Sequence, residues 1–188
     1  MNTMSKIKII SCIPALLFLL FGVSYFFFGQ RIPLNFVYTF LGAVFIVYGV
    51  IKFFCFFSKD MYQLAFQFDF AMGIFYVVIG LLFYCFKREV QNNFLSMIGF
   101  TVFIDAVLKI QTSLEAKRFG MDKWWTILML AGLTALAAAL FFVVPPMERL
   151  QKYGLIYIFN FMNAMGLIFF LEGCLNLWVV LYTVKESP

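Results

Sequence analysis

Two acids, Asp105 and Glu172, stand inside long apolar stretches of a 188-residue chain, each with a polar residue four positions on, Lys109 and Asn176. Tyr48 and Lys52 repeat that spacing in a third stretch. Residues four apart share one face of a helix. Such a row can work in two ways. Acids and bases that neutralise one another act as polar glue between helices; acids open to protons bind and relay them. Other chemistry lacks its reagents. The chain has no histidine, the usual general base and commonest metal ligand. Cys12, Cys55, Cys85 and Cys174 are too far apart for a zinc, haem or thioredoxin-type motif, and a cysteine in an apolar run behaves as a small hydrophobe. No Ser-Lys, Asp-Asp or His-Glu constellation occurs at a workable spacing. The residues point to a protein that is not an enzyme and takes no cofactor or metal.

Composition sets the elements that must position this row. Hydrophobic residues make up 64% of the chain, aromatics 21% and charged residues 12%, with 28 phenylalanines. An average soluble domain is about 45–50% apolar and roughly 25% charged. A chain so apolar cannot cover a water-facing surface, which excludes a soluble enzyme, a nucleic-acid binder and a disordered chain. Six apolar runs follow one another: Ile9–Phe28, Phe36–Phe57, Leu64–Phe86, Phe94–Leu114, Trp124–Val144 and Leu155–Val184. Each reaches the roughly 20 residues that a helix needs to cross a bilayer. The runs are continuous and do not alternate polar with apolar, so they predict helices and not barrel strands. The expectation is an all-α polytopic membrane protein, one domain over residues 1–188 with six transmembrane helices. The first run is too long for a signal-peptide core, which takes about 7–15 residues, and no small-x-small cleavage site follows it. Pro14 falls in its first turns, where a missing N–H is tolerable. Pro145-Pro146 ends the fifth run. Asn160 and Asn163 predict a lead-in turn or a strong tilt in the sixth.

The net charge of +5 lies mainly between the runs, where it orients a membrane protein. With the N-terminus in the cytoplasm, that side holds Lys6, Lys8, Lys52, Lys59, Lys109, Lys117, Arg118, Lys123 and Lys185. The opposite side holds Arg31, Lys87, Arg88, Arg149 and Lys152. The excess persists when the intramembrane Lys52 and Lys109 are set aside, and it places both termini inside. Trp124, Trp125 and Trp178 then fall near the cytoplasmic boundary, as interfacial anchors do.

A threefold repeat emerges from the glycines. The odd runs share Gly22 with Gly29, Gly73 with Gly80, and Gly132 with Ala139. The even runs share a longer pattern: Gly42, Tyr48, Gly49, Lys52; then Gly99, Asp105, Ala106, Lys109; then Gly166, Glu172, Gly173, Asn176. Seven residues return nearly to the same helix face, and small residues there let membrane helices approach closely. The expected architecture is three helical hairpins, runs one-two, three-four and five-six, about a pseudo-threefold axis. Equivalent even runs point the same way. Tyr48, Asp105 and Glu172 should therefore share one layer, with Lys52, Lys109 and Asn176 about 6 Å nearer the cytoplasm at 1.5 Å per residue.

From Ile98 to Pro146 the chain carries a Gly-led run, the basic loop Ala116-Lys117-Arg118-Phe119-Gly120, and Trp124-Trp125 opening a Gly-containing run that ends in Pro. These features resemble the HdeD-like acid-resistance membrane proteins, built of short repeats of unknown function. The resemblance covers essentially the whole chain. It implies a bacterial inner-membrane protein with a part in acid stress, and carries over no catalytic residue. Where the family has a Pro at the end of the third run, this chain has Lys87-Arg88-Glu89.

The polar row lies beside the glycine face, about 80–120° away at 100° per residue, so it points into the bundle. Asp69, near Gln63 and Gln67, reads as a residue of the cytoplasmic interface outside this belt. The belt then balances: Asp105 and Glu172 against Lys52 and Lys109. Glu172 needs a partner on another helix, Lys52 or Lys109, or else a proton. Two functions fit. One is a non-enzymatic membrane protein supporting acid tolerance or envelope integrity, with the bilayer, a second copy or another membrane protein as partner. The other is a small transporter or channel with its site in the belt.

Overall fold

The computed structural model describes residues 3–29, 33–57, 64–142 and 155–184. Among them are six α-helices and no strand: α1 Thr3–Phe28, α2 Leu34–Phe56, α3 Asp69–Cys85, α4 Lys87–Arg118, α5 Trp124–Ala139 and α6 Leu155–Thr183, with a 3-10 turn at Leu140–Phe142 after α5. Five are long and apolar enough to cross a membrane; α3, with 17 residues, is the exception.

Several boundaries differ from the apolar runs, each for a local reason. α1 begins before its apolar run and takes in Lys6 and Lys8, so Pro14 lies about three turns inside the helix and not at its start. α3 starts late because Ala65–Phe68 form a bend and turn, with the Asp69 amide donating to the Phe66 carbonyl at 3.0 Å. Leu64 and Phe66 are buried within that turn. α4 starts early: Lys87–Arg88–Glu89 form its first turn and not a connection, with Arg88 and Glu89 exposed and Val90 buried. Asn93 leaves helical geometry (φ −110°, ψ 18°) where the apolar run begins. A kink therefore separates the polar first two turns from the spanning part. α6 is helical through Asn160 and Asn163 without a lead-in turn. Pro145-Pro146 and residues Lys59, Arg31, Arg149, Lys152 and Lys185 lie outside the described residues. α4 ends in a Schellman cap: the Gly120 amide donates to Lys117 and the Met121 amide to Ala116, both at 3.0 Å. Gly120 sits at φ 70°, where a side chain is strained.

The tightest helix pairs are α2 with α3, α4 with α5, and α6 with α1. Each joins an even helix to the odd helix that follows it, the last pair returning to the start of the chain. Glycines explain the closeness in two of them. A methyl group on Gly49 would stand 2.6 Å from the Gly73 carbonyl oxygen, and one on Gly80 2.8 Å from that of Gly42. Across α6 and α1, Gly166 faces Gly22 and Gly173 faces Ala15. Across α4 and α5, Gly99 faces Ala138 and Phe141, and Ala106 and Ala131 share one buried cluster.

This register corrects two glycine assignments. In the odd helices the contact positions are Ala15 and Gly22, Gly73 and Gly80, and Ala131 and Ala138. Gly29 would meet only Tyr25 of its own helix, and Gly132 has open space where a Cβ would stand. Alanine serves at the contact where the sequence pattern counted glycine, because a methyl group still permits close approach.

The interior is aromatic. Phe18 stacks on Phe169 at 5.8 Å, and Phe45 lies against Tyr76 at 5.6 Å and Phe83 at 5.8 Å. Large apolar side chains also cover the outside: Phe27 is 70% exposed and Leu136 71%. An apolar exterior around buried charges inverts the order of a soluble domain and suits a lipid surround.

Candidate functional site

The six belt residues come from three helices that are not sequence neighbours, α2, α4 and α6, and all six are buried. They meet as one cluster. Lys109 contacts Asp105 Oδ2 one turn back on its own helix and lies 3.4 Å from Glu172 Oε1 on α6. Asn176 Nδ2 donates to the Glu172 backbone carbonyl at 2.9 Å and also to Oε1. The Tyr48 hydroxyl donates to Asn176 Oδ1 at 2.6 Å, tying α2 to α6. Side chains one turn apart in depth thus link the two expected layers into one network.

Lys52 turns the other way. Its ammonium donates to Asp69 Oδ1 at 2.7 Å and lies 3.9 Å from Asp105 Oδ1. Asp69 is therefore a buried member of the belt, with a relative exposure of 6%. The late start of α3 is what sinks the carboxylate to this depth. The register between the two helices, which the sequence does not give, accounts for it. Gly49 faces Gly73 in an antiparallel pair, so Lys52, three residues past Gly49, must stand opposite the chain three to four residues before Gly73.

With Asp69 included, the belt holds three acids, Asp69, Asp105 and Glu172, and two bases, Lys52 and Lys109. It does not balance. Carrying a charge to the middle of a membrane helix costs roughly 2.5–3.5 kcal/mol on insertion scales, and a pair offsets that only when its partners meet closely. Lys52 with Asp69 is such a pair, and Lys109 stands between Asp105 and Glu172. Glu172 Oε1 accepts from Lys109 and Asn176, while Glu172 Oε2 and Asp105 Oδ2 are both buried without a hydrogen-bond partner. A small cavity of about 30 Å³ lies beside the network, lined by Ser11, Cys55, Asp69, Lys109 and Asn176 among others. That is room for one or two waters. Aromatic rings close the opposite side, with Phe18 5.3 Å and Tyr76 4.8 Å from the Tyr48 ring. Among the described residues no group of three or more Cys, Asp or Glu side chains is placed to hold a metal ion.

The same end of the bundle carries tryptophans under cations. Lys117 lies 4.6 Å from the Trp124 ring, and Lys123 lies 6.0 Å from Trp178 and 4.9 Å from Tyr182. Trp178 Nε1 donates to Thr126 Oγ1 at 2.7 Å.

Fold and site together define a helical protein of the multi-pass membrane type with a charged interior. The short repeat of unknown function DUF308 matches residues 13–85 and 89–144, more than half of the chain, and the protein belongs to that family. The first matched segment takes in most of α1 with α2 and α3, the second α4 through the 3-10 turn. No curated protein and no solved structure matches the chain.

Proposed function

We propose that the protein is a non-enzymatic, multi-pass component of the bacterial inner membrane that supports acid tolerance or envelope integrity. In this reading α3, with the turn before it, is a sixth span, the helices form three hairpins about a pseudo-threefold axis, and both termini are cytoplasmic. The orientation is supported by one bundle end that gathers Lys117, Arg118 and Lys123 with Trp124 and Trp178. The acid role is supported by kinship, since HdeD-like proteins belong to the DUF308 family.

The observation that carries the non-transport reading is the closure of the belt. Its charged groups contact one another, and the cavity that Lys52, Asp69 and Lys109 help to line holds only about 30 Å³. A transporter or channel needs a polar route through the bundle, and the belt is backed by the rings of Phe18, Phe45, Tyr76 and Phe169. The test is survival of a deletion strain in moderate acid, at high cell density and after stress induction, with the wild-type gene restored on a plasmid. Reduced survival that the plasmid repairs is expected. Unchanged survival in every condition removes the acid role. Rapid proton flux in liposomes carrying the purified protein would favour the transporter instead.

A further inference from the structure

Gly132 matches the repeat yet touches no other helix, since a Cβ there would meet nothing within 4 Å. The space belongs to a groove of about 680 Å³ on the outer face of α5 beside α6, lined by Trp125, Met129, Gly132, Leu133, Leu136 and Trp178 among others. Thr126 also lines it. Its hydroxyl donates to the Lys123 carbonyl and accepts from Trp178 Nε1, both at 2.7 Å, so the groove presents an apolar surface. From Trp125 to Leu136 it runs about 16 Å at 1.5 Å per residue. That is about half of the roughly 30 Å hydrocarbon core, the depth of one leaflet.

A polar hollow of about 240 Å³ adjoins the end of the groove, lined by Gly120, Asp122, Lys123, Trp124 and Tyr182 among others. Lys123 joins the two. It caps the start of α5, and its ammonium lies 6.0 Å from the Trp178 ring of the groove and 4.9 Å from the Tyr182 ring of the hollow. Lys117 lies 4.6 Å from the ring of Trp124 in the hollow's wall. The ion pairs of the described residues all lie in the belt, so rings and not carboxylates hold these two ammonium groups. Lys8 belongs to the same end, donating to the Leu181 carbonyl at 3.2 Å. Outside the belt, the described residues of this end carry Lys6, Lys8, Lys117, Arg118 and Lys123 against Glu115 and Asp122.

We propose that this face binds one anionic phospholipid. Its phosphate sits in the hollow with Lys123 and Lys117, and one acyl chain lies in the groove over Gly132. Charge complementarity selects the headgroup, because a basic surface at the bilayer boundary attracts anionic lipid. Shape selects the tail. A large side chain at position 132 would fill the groove, and glycine leaves it open. A groove one leaflet deep fits an acyl chain, whereas a second transmembrane chain would run the full depth of the core.

The site requires the membrane setting and not the acid role, so unchanged acid survival of a deletion strain leaves it standing. All three tryptophans of the chain, Trp124, Trp125 and Trp178, line the hollow or the groove, and their fluorescence reports on this face alone. The test reconstitutes the full-length protein in phosphatidylcholine vesicles and replaces part of the lipid with brominated phosphatidylglycerol or brominated phosphatidylcholine, which quench on contact. Phosphatidylglycerol should associate about fivefold more tightly than phosphatidylcholine, the order set by one surface cation. The preference should shrink at high salt. Lys123→Gln should remove most of it, and Arg88→Gln, in the first turn of α4, should leave it intact. Gly132→Leu should also lower it at an unchanged melting temperature, because no protein atom stands within 4 Å of its Cβ. The wild-type comparison does not depend on any variant folding. Equal quenching by the two lipids at low salt would overturn the proposal. So would displacement by the deacylated headgroup, glycerophosphoglycerol, as effective as that by intact phosphatidylglycerol. Shielding of the tryptophans from both lipids would do the same, and would mark a second copy on this face.

Discussion

Lys52 and Asp69 form a 2.7 Å ion pair in the interior, joining the last turns of α2 to the first residue of α3 across a connection of 12 residues. Removing one partner of a buried pair strands the other. Asp69→Leu should lower stability by about 3–5 kcal/mol, and adding Lys52→Met should restore much of it. Thermal unfolding in detergent reads both. Equal and additive losses would mean that the pair is not formed in the protein.

The same measurement ranks the other couplings. Lys109→Met and Glu172→Leu should be non-additive, with an interaction of roughly 0.5–3 kcal/mol. Lys52→Met and Glu172→Leu should couple more weakly than that pair, because the nearest acids to Lys52 are Asp69 and Asp105. Strong coupling in that second cycle would contradict the arrangement described.

Glycine position makes a sharp contrast. Gly49→Ala would drive a methyl group to 2.6 Å from the Gly73 carbonyl and should destabilise the α2–α3 contact markedly. Gly132→Ala meets nothing within 4 Å. It should stabilise the protein by up to about 1 kcal/mol through helix propensity alone. A destabilised Gly132→Ala variant would place α5 against a neighbour absent from this fold.

At the α4–α5 connection, Gly120 adopts φ 70°. Gly120→Ala should cost about 1–2 kcal/mol, the strain of a left-handed residue bearing a Cβ. A neutral outcome in the same unfolding assay would show that the cap is not formed as described.

Orientation is open to direct labelling. In a cysteine-free background, Asp122→Cys should react with an impermeant thiol reagent only from the cytoplasmic side, and Arg88→Cys only from outside. Both side chains are exposed, Arg88 in the first turn of α4 and Asp122 four residues past its last. The reverse pattern would invert the topology.

Much of this protein was legible as text. Continuous apolar runs of membrane length require helices, since a backbone in lipid must satisfy its own hydrogen bonds. Polar residues four apart beside small ones require a shared inward face, which brings Tyr48, Lys52, Asp105, Lys109, Glu172 and Asn176 to one side of their helices. What periodicity along a helix cannot supply is the register between helices. Gly29 and Gly132 match the seven-residue pattern as well as Gly22 does, yet the contacts use Ala15 and Ala131. Small size matters only where another backbone stands opposite, and that is decided by packing. Asp69 is the sharper case. In the sequence it sits at the edge of an apolar run beside glutamines, as an interface residue would. Only the turn before α3 and the pairing of Gly73 with Gly49 carry it down to Lys52. In the corresponding register, four residues before the contact position, α1 offers Ser11 and α5 Ile127, so one helix pair alone contributes a third acid. Charge balance is a property of all the groups that meet at one place, and only the tertiary structure decides which groups those are.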